Sequence, residues 1–251
     1  MKALSSITTI MVAAVSLLAL SGPVQASKMD SRIESSAKQS YVFKTYLKND
    51  DIKIQSSDGV VTLTGSVSED SHKTLAQETV VGLPGVKTVN NMLEVQGEPT
   101  TATSDSWLTS KVKTILLFHR NVSTMTEVNT KEGIVTLRGD AASQAEKDLT
   151  TEYVKDVEGV KGVNNEMTVT KTVKKTRTAG EKIDDASITA QVKMSLLYHR
   201  STSALKTSVT TKKGIVTLSG KASNAAELKL TTKYANDVNG VKEVKNRMVI
   251  E

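Results

Sequence analysis

The 251-residue chain has no cysteine. A disulfide framework, a thiolate metal site and a cysteine nucleophile are thereby excluded. Histidine occurs three times, too sparsely for a dense ligand cluster or for much acid–base chemistry. With one Trp, two Phe and five Tyr, any core has to be assembled from small aliphatic side chains, and a single large core is not expected. No Gly-x-x-x-x-Gly-Lys-Ser/Thr string is present to cradle a phosphate, and no Gly-x-Ser-x-Gly string to present a serine nucleophile. The expectation is a protein that is not an enzyme, with no cofactor and no metal site.

What is present begins with an address. Lys2 precedes an apolar run from Ile7 to Leu20, and Val24-Gln25-Ala26 has the small-x-Ala form of a cleavage site. Residues 1–26 therefore read as a secretory signal. The run is shorter than the roughly 20 residues a membrane span needs. No transmembrane segment is expected after cleavage, and the mature chain is expected in a bacterial periplasm.

The rest is a threefold repeat. Gly59-Val60-Val61-Thr62-Leu63-Thr64-Gly65 returns at Gly133 to Gly139, 74 residues on, and again at Gly214 to Gly220, 81 residues further. A second string keeps that register: Gly85-Val86-Lys87, Gly159-Val160-Lys161 and Gly240-Val241-Lys242. Each is followed by an asparagine, Asn91, Asn165 or Asn246. Asp30, Asp105 and Asp185 open the units and read as helix N-caps ahead of apolar positions at helical spacing, such as Leu108, Val112, Ile115 and Leu116. Gly59, Gly133 and Gly214 mark hairpin turns; Gly65, Gly139 and Gly220 are read as ending the strand that follows. A second helix is expected to stop at Gly85, Gly159 and Gly240 in left-handed caps. Each unit is α-β-β-α-β in about 70 residues, a marginal size for a lone domain. Two helices would cover one face of a three-stranded sheet, giving an α+β fold in three tandem small modules. The boundaries are 27–97, 104–170 and 184–251, with linkers at 98–103 and 171–183.

These motifs resemble those of the BON domain, named for bacterial osmotically inducible and nodulation proteins. The resemblance covers nearly all of the mature chain in three copies, and the arrangement is similar to that of periplasmic osmotically inducible members, which usually have two modules. It implies the α-β-β-α-β fold, a role in envelope maintenance through contact with phospholipid, and no catalytic residues.

Charge adds a direction. The net charge is +6. The third module and its leading linker hold nearly all the excess: Lys171, Lys174, Lys175, Arg177 and Lys182 in the linker, then Lys206, Lys212, Lys213, Lys221, Lys229, Lys233, Lys242, Lys245 and Arg247. This favours an anionic partner. A signal segment removes nucleic acid from consideration, leaving an anionic phospholipid surface. Trp107 aligns with Arg32 and Ser187, so it is expected to point outward and to touch lipid or partner. His119 and His199 align in Leu-Leu-aromatic-His-Arg strings and read as cations at helix C-termini, with Lys44 in the first unit. Tentative contact residues are Trp107, Lys171, Lys174, Lys175, Arg177, Lys182, Lys212 and Lys213. Two other readings stay open: a periplasmic chaperone or scaffold for exported polypeptides, and a small-ion or small-ligand sensor.

Overall fold

A computed structural model describes residues 28–96, 104–123, 125–170 and 182–251. Residues 1–26, expected to be a secretory signal, and most of both expected linkers lie outside the described residues.

In the first repeat the opening helix is split into α1 (Lys28–Gln39) and α2 (Tyr41–Thr45), because Ser40 turns its side chain to cap the second piece. Then come β1 (Asp51–Ser57), β2 (Val60–Val67), α3 (Asp70–Val81) and β3 (Thr88–Val95). The second repeat is α4 (Asp105–Phe118), β4 (Glu127–Lys131), β5 (Ile134–Arg138), β6 (Asp140–Ala141), α5 (Gln144–Lys155), β7 (Gly162–Asn165) and β8 (Thr168–Val169). The third is α6 (Asp185–Tyr198), β9 (Thr207–Lys212), β10 (Ile215–Ala222), α7 (Ala225–Asp237), β11 (Glu243–Asn246) and β12 (Val249–Ile250). Sheet orders are β1-β2-β3, β4-β5-β7 and β9-β10-β11. The central strand is antiparallel to its hairpin partner and parallel to the last strand. A parallel neighbour requires a crossover, which the second helix of each repeat supplies.

The hairpins explain the opening aspartates. Ser57 pairs with Val60, which leaves Asp58 (φ 52°) and Gly59 (φ 82°) as a two-residue turn. Positive φ at both positions is the geometry that follows the twist of the strands. Glu132 and Lys213 hold the same left-handed conformation, which costs a residue with a Cβ. The aspartates offset that cost. Asp30 accepts the N–H groups of Asp58 and Gly59 at 3.0 Å each. Asp105 accepts those of Glu132 and Gly133 at 2.7 and 2.9 Å; Asp185 accepts those of Lys213 and Gly214 at 2.7 and 2.8 Å. They are therefore not the N-caps. Ser104 and Asp184, one residue earlier, cap α4 and α6 by accepting from Trp107 and Ser187. The aspartate instead ties the start of the helix to the tip of the hairpin.

Of the glycines after the first strand motif, Gly139 does follow the end of β5, but the other two need correction. β2 and β10 run through Gly65 and Gly220 rather than ending there. A Cβ at either would stand 2.0 Å from the carbonyl oxygen of Asp51 or Lys206, so these positions are kinks where two backbones touch. Gly85, Gly159 and Gly240 do not cap the second helices. Those caps are Gly82, Asp156 and Val238, and the later glycines turn the chain into the last strand. There, Asn91, Asn165 and Asn246 reach back to the second helix: each amide donates to a helix carbonyl (Lys73, Lys147 or Leu228) and to one side chain. Each also accepts from the N–H two residues on. That exchange lets the strand bend while its backbone groups stay paired.

Val61, Leu63, Val135, Leu137, Val216 and Leu218 point from the central strands into the core. The three cores are not separate. The buried residues of all three repeats form one contiguous cluster, against the expectation of no single large core. Packed helices join them, above all α3 against α6 and α4 against α6. Small domains gain stability by sharing a core in this way. No helix among the described residues is long and apolar enough to cross a membrane.

Candidate functional site

The matched Leu-Leu-aromatic-His-Arg strings meet each other. Each first helix of modules two and three ends on the C-terminus of the other module's second helix, and the contacts are reciprocal. The N–H of Arg120 bonds the carbonyl of Asp237, and that of Arg200 the carbonyl of Asp156. The Arg120 guanidinium donates to the carbonyls of Asn236, Val238 (3.0 Å) and Val241 (2.7 Å). The Arg200 guanidinium donates to those of Lys155, Val157 and Val160 at 2.7, 2.9 and 2.7 Å. Each arginine thus satisfies open carbonyls at the end of the opposite helix, where the dipole also favours a cation.

Between the arginines lies an aromatic quartet. His119 stacks on Tyr153 at 4.0 Å and His199 on Tyr234 at 3.9 Å, with the two imidazoles 5.9 Å apart. Tyr153 donates to Asp237 and Tyr234 to Asp156. The histidines are 0% and 1% exposed, and His199 is not the cation expected at a helix C-terminus. Burial depresses the His199 pKa, and the opposing pull of Asp156 does not restore it. His199 is neutral at pH 7, and its 3.4 Å approach to Asp156 is a dipolar contact rather than an ion pair. Burial pushes Asp156 up, but bonds from His199, Ser201 and Tyr234 outweigh it and hold the carboxyl below its ordinary value. The quartet is a structural joint with no open substrate position.

Trp107 is half-buried rather than outward. It lines a cleft of about 460 Å³ between modules one and two, together with Glu69, Asp70, Asp105 and Ser110. The ammonium of Lys111 sits 4.0 Å above its ring and 5.2 Å from that of Tyr198, and donates to the Glu158 carbonyl at 3.0 Å. Lys111 is 3% exposed, and burial lowers its pKa to about 8. Sequence reading missed this buried lysine; its place three residues after Leu108, on the apolar face of α4, was the available signal. Three carboxylates and the ammonium of Lys113 line the cleft around Trp107.

The expected basic face is narrower than the composition implied. Lys171, Lys174, Lys175 and Arg177 lie outside the described residues. Lys182 is exposed just before α6. Lys193 pairs with Glu78 across to module one, Lys206 and Lys221 share Glu251, and Lys233 pairs with Asp237. Lys212, Lys213, Lys242, Lys245 and Arg247 remain exposed around the third hairpin turn and on the sheet face away from the helices. Of these only Lys245 has an ion-pair partner among the described residues, Glu243 at a loose 3.9 Å.

Family comparison fits this geometry. The BON domain matches residues 29–97, 104–171 and 184–251. The chain belongs to the BON domain family. A curated relative is osmotically-inducible protein Y of Escherichia coli (strain K12), 36% identical over 143 residues, covering 55% of this chain and 71% of the relative. Among solved structures, CdsD, a structural protein of the Type III secretion system of Chlamydia trachomatis, aligns over 87% of this chain and 90% of its own with 16% identity and a TM-score of 0.24. The C-terminal domain of CdsD aligns over 91% and 100%, with 15% identity and a TM-score of 0.24. Likenesses so slight do not inform function.

Proposed function

We propose that this BON protein is a non-catalytic, periplasmic envelope protein of the osmotic-stress type that attaches to anionic phospholipid surfaces. The observation that carries the reading is the grouping of five exposed cations, Lys212, Lys213, Lys242, Lys245 and Arg247, at the hairpin tip and open sheet face of the third module, against the single acid Glu243 there. The signal-like amino terminus and the osmotic inducibility in the relative's name support the compartment and the stress class. Each lysine near an anionic leaflet contributes on the order of 1 kcal/mol, so a handful on one side suffices for reversible attachment. In a flotation series with the mature chain, binding grows with anionic lipid content and fades with added salt. Absence of binding at low salt defeats the reading.

A second reading, a chaperone for exported polypeptides, is favoured by one feature. Leu205 is 96% exposed beside an apolar pocket of about 290 Å³ walled by Met194, Leu196, Leu197 and Val209. A pocket of that size takes one apolar side chain of an extended segment. Under this reading the chain suppresses aggregation of an unfolded outer-membrane protein without lipid, and Leu205→Asp weakens that effect.

A further inference from the structure

The three modules share the same hairpin and parallel strand pair, so equivalent positions there can be compared directly. Five of them cluster at the hairpin tip and on the helix-free face of the sheet. In module one they are Ser57, Asp58, Lys87, Asn90 and Met92, where the one acid cancels the one base. In module two they are Lys131, Glu132, Lys161, Asn164 and Glu166, where two acids cancel two bases. In module three they are Lys212, Lys213, Lys242, Lys245 and Arg247, all cations and all exposed.

Topology gathers these five residues. Lys212 lies opposite Ile215 across the hairpin, and Lys245 beside Thr217 in the parallel pair. Lys213 occupies the turn itself, pinned by its N–H to Asp185. The stem of Lys242 passes over Gly214, where a Cβ would stand 3.1 Å from it. Along the last strand the buried side chains alternate with exposed ones, so Lys245, Arg247 and Val249 follow one another on the open face. Val249 is 60% exposed. The central open-face positions are Ile215, Thr217 and Ser219, short side chains that allow the flanking cations to reach a flat surface. Glu243 is the one acid on this part of the sheet.

Resting on the phospholipid reading above, we propose that the open sheet face and hairpin tip of module three form the docking surface. Lys212, Lys213, Lys242, Lys245 and Arg247 contact an anionic bilayer, and Val249 sits at its apolar fringe. A bilayer suits this surface because the exposed cations are spread over both the hairpin tip and the strand column rather than gathered at one point. Fixed charge on a rigid sheet needs no ordering on contact, and attraction falls off within a Debye length. Trp107, at the acidic cleft between modules one and two, stays off the membrane.

The test uses the full mature chain and vesicles of phosphatidylcholine and phosphatidylglycerol at three to one, at low and moderate salt. The variant K212E/K245E/R247E lowers vesicle affinity at least about tenfold, as expected from reversing three surface charges. The matched module-two variant K131E/K161E changes it less than about twofold. Unchanged melting temperatures show that both variants keep their fold, and K212Q/K245Q/R247Q gives an intermediate loss. If the wild-type chain ignores these vesicles, the lipid reading and the docking surface fall together. If the wild type binds and the triple variant binds equally well, the surface is wrong while the reading stands. Capture of an acidic unfolded polypeptide that is lost in the triple variant, with no vesicle binding, replaces the bilayer as occupant and overturns the proposal.

Discussion

Modules two and three meet through a reciprocal joint, whereas module one is held by contacts that occur once. At the first junction the N–H groups of Tyr41 and Val42 donate to Asp184 and Ser187, Glu78 pairs with Lys193 at 2.9 Å, and Glu69 accepts from Ser110. At the second, two arginines, two histidines and two tyrosines form matched halves. The strand and second-helix framework recurs in all three copies, so the difference lies in the break of the first helix of module one at Ser40 and in a few side chains. Where modules two and three have aromatic-His-Arg, module one has Phe43-Lys44-Thr45. Thr45 cannot reach three carbonyls, and module one is therefore unable to join such a joint. Duplicating a fold supplies copies; pairing them depends on a short string at one helix end.

The strongest challenge to this contrast is to remove both arginines. Arg120→Ala with Arg200→Ala leaves carbonyls at two helix ends without partners and costs roughly 3 kcal/mol or more. Denaturant unfolding then splits into separate transitions. Lysine at either position restores only part of the loss, because all three contacts come from Nη2 and the shorter lysine side chain does not bring its ammonium to the same point. A single transition with an unmoved midpoint would show that the joint is ornamental.

A smaller effect separates contacts inside a module from those between modules. Asp105→Ala removes two bonds to the hairpin tip and costs about 2 kcal/mol, while Ser104→Ala costs about 1 kcal/mol as an ordinary cap. Denaturation midpoints of the two variants check this, and the reverse order would return the aspartate to the role of cap. At the first junction, Lys193→Met costs about 0.5–1 kcal/mol, the range of a partly exposed ion pair, read as a small shift in melting temperature.

Acid gives the subtlest distinction. Unfolded His199 takes up its proton near pH 6.5, and the folded one only at lower pH. The stability it contributes at the second junction is complete above that value and falls as pH drops below it. Asp156 contributes stability above 3.8 and loses it only in stronger acid. Hydrogen exchange between pH 7 and 5 loosens the amides of Arg120 and Arg200 before those of Tyr41 and Val42. The variant His199→Gln flattens that pH dependence; equal loosening at both junctions contradicts it.

Much of the fold was legible in the residues. Repeated Gly-aliphatic-Val-Thr-Leu strings gave the central strands, and helical spacing gave the first helices. Asp30, Asp105 and Asp185 were recognised as important but assigned the wrong bond, since their partners lie 27–29 residues downstream at the hairpin tip. The alignment of His119 and His199 assigns them to helix C-termini but not to the joint they form, because alignment reveals sameness and not which copy faces which. Trp107 was read as outward from polar residues at equivalent positions, a comparison that ignores a neighbouring module covering one copy only.

The sequence by itself determined the repeat, the α-β-β-α-β order within each copy and the uneven distribution of charge, because each depends on short-range patterning. Only the tertiary structure decided that the cores fuse, that two of three copies clasp, that Lys111 is buried beneath Trp107, and which lysines remain unpaired. Those outcomes depend on contacts between residues tens to more than a hundred positions apart, and no local pattern encodes which surfaces will be brought together.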